Sequence, residues 1–136
     1  MDQTRLDLSK YRLDKAKDDL CVSKLNLENK KFAQSINRSY YSMFHAARAL
    51  LALEKYDSKK HTGIISYFNQ YFIKPKYIEP EYFKIFANAF KIRNDCDYDD
   101  FYIASYEDAK VQYENAEKFI KKIEAYINQT VKMETV

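Results

Sequence analysis

The stretch FAQSINRSYYSMFHAARALLAL, residues 32–53, leaves this chain few choices of fold. Ala33, Ile36, Tyr40, Met43, Ala47 and Leu50 recur at alternating spacings of three and four, which places them on one side of a helix. From Tyr40 onward the flanks turn apolar as well, through Tyr41, Phe44, Ala46, Ala49, Leu51 and Ala52. A helix with so little polar surface must be covered on several sides, so the pattern predicts a central helix. The polar groups it keeps, Asn37, Arg38, His45 and Arg48, need partners, and the segment RNDCDYDD at 93–100 can supply them.

Gly occurs once and Pro twice in 136 residues, so the chain is poor in the residues that build tight turns and sheet corners. Its length fits one domain, 1–136, with a core that needs no metal or disulfide staple. The expectation is an all-α antiparallel bundle of four to five helices. Lys and Arg number 23 against 20 Asp and Glu, and the resulting +3 is too slight to indicate nucleic acid by itself. Cys21 and Cys96 have neither CxxC nor Cys/His ligand spacing, which suits reduced cytoplasmic thiols and no metal or cofactor. No apolar run nears the length of a bilayer span and none reads as a signal peptide, so a cytoplasmic protein without a membrane partner is expected.

In chain order, residues 4–27 repeat Leu6, Leu13, Leu20 and Leu27 every seven, with Ser9, Ala16 and Ser23 three places after the first three leucines. That large-small seam suits close antiparallel packing on another long helix. The central helix is expected to end near Tyr56 and Asp57. Ser58 can N-cap a third helix of roughly fifteen residues, with His61, Ile64, Phe68 and Tyr71 or Phe72 inside. After KPKYIEP, Pro80 opens a fourth helix running to about Arg93 or Cys96, and Asp95–Asp100 is read as a loop. Ser105, Glu107 and Asp108 cap a last helix with Tyr106, Ala109, Tyr113, Ala116, Ile120, Ile123 and Ile127 on one face. Residues 1–3 and 130–136 lie outside the patterns and are expected to fray.

Arg93, Asn94, Asp95, Asp97 and Tyr98 form the strongest candidate site, with Arg93, Asn94, Asp97 and Tyr98 as the catalytic candidates. Arg93 continues the stripe of Phe83, Phe86 and Phe90, and a guanidinium there needs an anion or a wet cleft because burying it unpaired is costly. That is hard to satisfy in one bundle, so a homodimer face at the end of the fourth helix is expected. The plainer alternative is that Arg93 pairs with Asp97 or Asp99 and fastens the loop. His45 is a second chemical candidate, on a face with Tyr41 and Arg48, while Lys60 and His61 at the third helix's start are candidates for phosphate binding. Asp95, Asp97 and Asp99 mimic a calcium loop's opening, but Asp100 stands where it needs Gly and Tyr106 where it needs Glu. Of the tyrosines, Tyr40, Tyr71, Tyr82, Tyr106 and Tyr113 fall on inner stripes and are assigned to the core.

The blocks NRSYYSMFHAARALL, KKHTGIISYF, RNDCDYD and YENAEKFI, in that order, resemble the HEPN family (higher eukaryotes and prokaryotes nucleotide-binding) over residues 30–126. The resemblance implies a helical bundle, usually homodimeric, whose arginine motif faces its copy across a cleft. It also implies a metal-independent ribonuclease or defence effector, often paired with a nucleotidyltransferase antitoxin. Arg93 and Asn94 match the motif's start. Its histidine is replaced by Tyr98, Asp99 or Asp100, depending on the gap. RNA cleavage through the 2′-hydroxyl needs a group that exchanges protons near neutrality, and tyrosine's usual pKa of about 10 does not suit it.

The reading is therefore a dimeric RNA- or nucleotide-binding component of a toxin-antitoxin type pair. One alternative is a metal-independent endoribonuclease using Arg93 with Tyr98, Asp97 or His45. The other is a non-catalytic helical interaction module whose Arg93 cluster is a clasp.

Overall fold

The computed structural model describes residues 1–134, all of whose regular structure is helical: α1 (Gln3–Glu28), α2 (Phe32–Ala52), α3 (His61–Phe68), α4 (Pro80–Tyr98) and α5 (Tyr106–Glu134), with a π-helical turn at Asn69–Ile73 extending α3. Residues 135–136, part of the segment expected to fray, lie outside the described residues. The α2 helix packs against all four others, and Tyr40, Met43, Ala46, Ala47, Ala49 and Leu51 are fully buried. Ala33, grouped with this face by its spacing, is exposed because α2 begins before its neighbours cover it.

Small residues on α1 let its backbone approach α2 closely. Ser9 Oγ donates to the Ala49 carbonyl at 2.8 Å, and Ser23 Oγ donates to the Ser35 carbonyl at 3.0 Å, the pairing of antiparallel neighbours. Ser35 Oγ returns a bond to the Ser23 carbonyl at 2.9 Å, while the Ser23 and Ser39 hydroxyls meet at 2.6 Å. Each buried hydroxyl is thereby paired, which avoids a desolvation cost of about 1–3 kcal/mol apiece.

Against α2's other side, Phe68, Phe86 and Phe119 from three different helices join rings with one another, and Phe86 also meets Tyr40. All four rings are fully buried, and full burial of a large side chain stabilises by about 1.5–3 kcal/mol. Salt bridges from Lys118 to Glu81 and from Lys122 to Glu79, both 2.9 Å, tie α5 to the start of α4.

Several boundaries and faces differ from the sequence expectation for physical reasons. The α2 helix stops at Ala52, before Tyr56, as Lys55 turns into the left-handed region at φ 58°. Ser58 is not the N-cap of α3; that position is Lys60, whose backbone N–H donates to Ser58 Oγ at 3.1 Å. Ser58 lies so close over Gly63 that a Cβ there would sit 2.4 Å from Ser58 Oγ, which accounts for the chain's single glycine. The π-turn adds a residue to its ring, so Phe72 and Ile73 turn inward and Tyr71 is exposed. Tyr106, at the first position of α5, is also exposed. The α5 helix continues to Glu134, past the end of the periodic pattern.

The difference that matters most is in α4. It runs through Tyr98, so Asp95 and Asp97 belong to its last turns and not to a loop. Each then falls four residues after a cation, giving Lys91–Asp95 at 3.8 Å and Arg93–Asp97 at 2.9 Å.

Candidate functional site

Arg93 reaches from α4 onto the aromatic face of α2, with its side chain 13% exposed. Its Nη2 donates to the Tyr41 hydroxyl at 2.9 Å and its Nη1 to Asn94 Oδ1 at 3.2 Å. The Nε atom lies 2.9 Å from Asp97 Oδ2 in an ion pair whose angle falls short of a hydrogen bond, so this buried N–H lacks an acceptor. The guanidinium carbon stands 5.6, 5.1 and 5.9 Å from the ring centres of Tyr40, Tyr41 and Tyr98, at cation-π range. One chain thus meets the charge that sequence reasoning expected a second copy to meet. Tyr41 is the partner that reasoning missed as such; its place beside Arg38 and His45 was the signal.

A second arginine flanks the first. Arg38 lies over the same Tyr41 ring at 4.9 Å, donates to Asn37 Oδ1 from Nε and Nη2 at 3.0 and 2.7 Å, and bonds Asp19 on α1 at 3.2 Å. Asn37 in turn donates to Asp97 Oδ2 at 3.3 Å. Arg38, Asn37, Asp97 and Arg93 therefore form one polar chain across α2 and α4. It borders a groove of about 570 Å³ lined by Val22, Asn26, Gln34, Arg38, Cys96 and Asp97.

The two histidines part company. His45 faces α1, with Nε2 3.5 Å from Asp19 Oδ2 and a side chain only 11% exposed. Burial and the charges of Lys15, Arg48, Arg38 and Arg12 push its pKa down to about 4. Asp19 does not reverse this: Arg38 bonds only its Oδ1, the Oδ2 facing the ring makes no hydrogen bond, and burial raises the carboxyl's own pKa. His45 is not brought to Arg93.

His61 is. From the start of α3 it stacks on Phe44 at 4.2 Å, meets Tyr40 and Tyr41 at centroid distances of 5.7 and 5.8 Å, and places Nδ1 2.7 Å from the Tyr40 hydroxyl. Burial, then the charges of Arg93 and Arg48, hold its pKa below the ordinary value. Lys60 beside it is exposed.

Tyr98 is 75% exposed, and Phe101 and Ile103 after it are more so. Burial and Asp97 push the Cys96 thiol up to about 11, which leaves it protonated and a poor nucleophile near neutrality. Tyr102 holds Asp108, and Ser105 Oγ accepts from the Asp108 N–H as the expected cap. Among the described residues no helix is long and apolar enough to cross a membrane.

The arrangement can hold an oxyanion: two arginines braced on aromatic faces, with amide donors nearby and a carboxylate at the more exposed edge. Comparison with known proteins gives this geometry a family. A protein of Methanocaldococcus jannaschii named "Putative toxin MJ0605" is 32% identical over 117 residues, covering 86% of this chain and 81% of that one. A second from the same organism, "Putative toxin MJ0142", is 34% identical over 121 residues, covering 88% of this chain and 77% of its own. A UPF0332 protein of Thermotoga maritima is 31% identical over 117 residues, covering 86% and 89%. The HEPN domain model matches residues 9–126, taking in all of α2, α3 and α4, most of α1 and α5 and the whole Arg93 cluster, and the chain belongs to the HEPN family.

Proposed function

We propose that this HEPN protein is the RNA- or nucleotide-binding component of a toxin-antitoxin type pair, working as a homodimer beside a nucleotidyltransferase and holding phosphate at Arg93. The observation that carries the reading is the state of that guanidinium. Tyr41 and Asn94 fix its two Nη groups, whereas its one carboxylate partner, Asp97, is 31% exposed and poorly aligned with Nε. A phosphate oxygen can replace such a carboxylate and form charge-assisted bonds to an arginine already oriented. The toxin part of the reading draws on the names of the Methanocaldococcus relatives. The homodimer draws on the exposed run Tyr98, Phe101, Ile103 and Tyr106 next to Arg93, an apolar edge suited to a second copy.

Cleavage is expected to be weak. Tyr98 stands at the motif histidine's place with its ring largely in solvent, and His45 faces Asp19. The clasp reading has one observation in its favour, namely that Arg93 has three partners inside the chain.

Anisotropy of labelled single-stranded RNA and thermal unfolding, both measured on Arg93→Ala, separate the two. The anion site predicts an affinity loss of roughly tenfold or more, with a modest drop in stability. A clasp predicts a large drop in stability with affinity unchanged. Light scattering at micromolar concentration tests the dimer, and a monomer there removes the shared cleft. Incubation with RNA and a chelator tests cleavage; robust 2′,3′-cyclic phosphate ends would favour the endoribonuclease.

A further inference from the structure

His61 and Arg93 approach the same two rings from different helices. Both lie within 6 Å of the Tyr40 and Tyr41 ring centres, and Arg93's charge is felt at the imidazole. What differs is how each is held. Tyr40 is completely buried, and among the described residues its hydroxyl has one hydrogen-bond partner, His61 Nδ1 at 2.7 Å. A buried O–H has to donate to something, and Nδ1 is the acceptor in reach. Burial also raises the pKa of Tyr40, so the phenol keeps its proton. If Tyr40 donates to Nδ1, the ring proton of neutral His61 sits on Nε2.

The groups packed around His61 favour that neutral form. Tyr40, Tyr41 and Phe44 face it from α2 and Phe90 from α4, with Arg48 and Arg93 as the charges acting on it. Among the described residues Nε2 has no hydrogen-bond partner.

We propose that His61 is a neutral phosphate ligand, its Nε2–H fixed by the Tyr40 hydroxyl and donated to an oxygen of the same RNA phosphodiester that Arg93 binds. The proposal rests on the reading of Arg93 as an anion site. Tyr40 is then a positioning residue that acts through the imidazole. The same tautomer explains binding without efficient cleavage. With the proton on Nε2 and Tyr40 occupying Nδ1, neither nitrogen can accept the proton of an attacking 2′-hydroxyl. His61 supplies from α3 a histidine to the arginine site, in a donor's role.

The test uses the full chain with 15N-labelled histidine. Nitrogen NMR of the wild type should show His61 with a bare Nδ1 and a protonated Nε2, and Nε2 should shift on adding a short single-stranded RNA. Inorganic phosphate as a second probe should shift the same signal, which separates phosphate recognition from base recognition. Tyr40→Phe should mix the two tautomers. His61→Ala should lower RNA affinity by roughly tenfold, the usual effect of losing one hydrogen bond to a charged group. His61→Gln, with an N–H at a comparable reach, should recover most of it, which a purely structural role would not predict. A protonated Nδ1 in the wild type overturns the proposal. So does unchanged affinity in His61→Ala while Arg93→Ala binds weakly, and in that case the Arg93 reading survives alone. If Arg93→Ala itself binds RNA normally, the anion site falls and the proposal with it.

Discussion

Asp97→Asn is the substitution that separates the competing readings, because only one of them predicts a gain in affinity. In the anion-site reading Asp97 is a competitor, and an incoming phosphate has to displace it from Arg93 Nε, 2.9 Å away. Coulomb's law for unit charges at that distance gives about 1.4 kcal/mol in water and about 6 kcal/mol at an effective dielectric of 20. Asp97 is 31% exposed and its contact lacks hydrogen-bond alignment, so solvent screening takes the value toward the lower end, about 1–2 kcal/mol. Removing the charge should therefore tighten RNA binding by roughly 5- to 30-fold. Stability should fall by no more than about 1 kcal/mol, as for a partly exposed pair four residues apart on a helix. Anisotropy with labelled single-stranded RNA measures the first and urea denaturation the second, and the affinity gain should shrink as salt rises. A clasp predicts lower stability with no gain in affinity, and a catalytic Asp97 predicts lost cleavage. Unchanged or weaker binding by Asp97→Asn would refute the displacement argument.

Tyr41→Phe removes the acceptor for Arg93 Nη2 and strands a partly buried N–H, so RNA affinity should drop several-fold at a stability cost of about 1–3 kcal/mol; anisotropy and thermal melting report the two. Ser23→Ala strands the Ser39 hydroxyl between α1 and α2, while Ser35 keeps its bond to the residue 23 carbonyl, and chemical denaturation should show a loss of about 1–3 kcal/mol without changing RNA binding. His45 has its folded pKa lowered to about 4 from 6.5, so the unfolded chain binds the extra proton first. Stability should be full above about pH 6.5 and fall by up to roughly 3 kcal/mol toward pH 4, a slope that His45→Gln should flatten in thermal melts. Lys55 sits at φ 58° just past α2, where Lys55→Gly should raise stability by up to about 1 kcal/mol by relieving left-handed strain.

The sequence by itself determined the helices and most of their inner faces, because a period of 3.6 residues is a local property and one glycine in 136 residues leaves little else to build. It also singled out Arg93 and Asn94, and it noted that Asn37 and Arg38 on an otherwise apolar helix lacked partners. It could not place the end of α4. Whether Asp95 and Asp97 extend the helix or leave it depends on pairing with Lys91 and Arg93 one turn earlier, against a local composition that reads as loop. Exposure of Ala33 and Tyr106 was equally invisible, since periodicity says which residues share a face but not how far a neighbouring helix covers it. The site itself is a product of packing. Arg93 and Tyr41 are 52 residues apart, Tyr40 and His61 are 21 apart, and two histidines that both lie partly buried beside arginines receive different partners because α1 brings Asp19 to one while α2 brings the Tyr40 hydroxyl and α4 the charge of Arg93 to the other. Burial and neighbouring charge set what an imidazole can do, and both arise only when the helices come together.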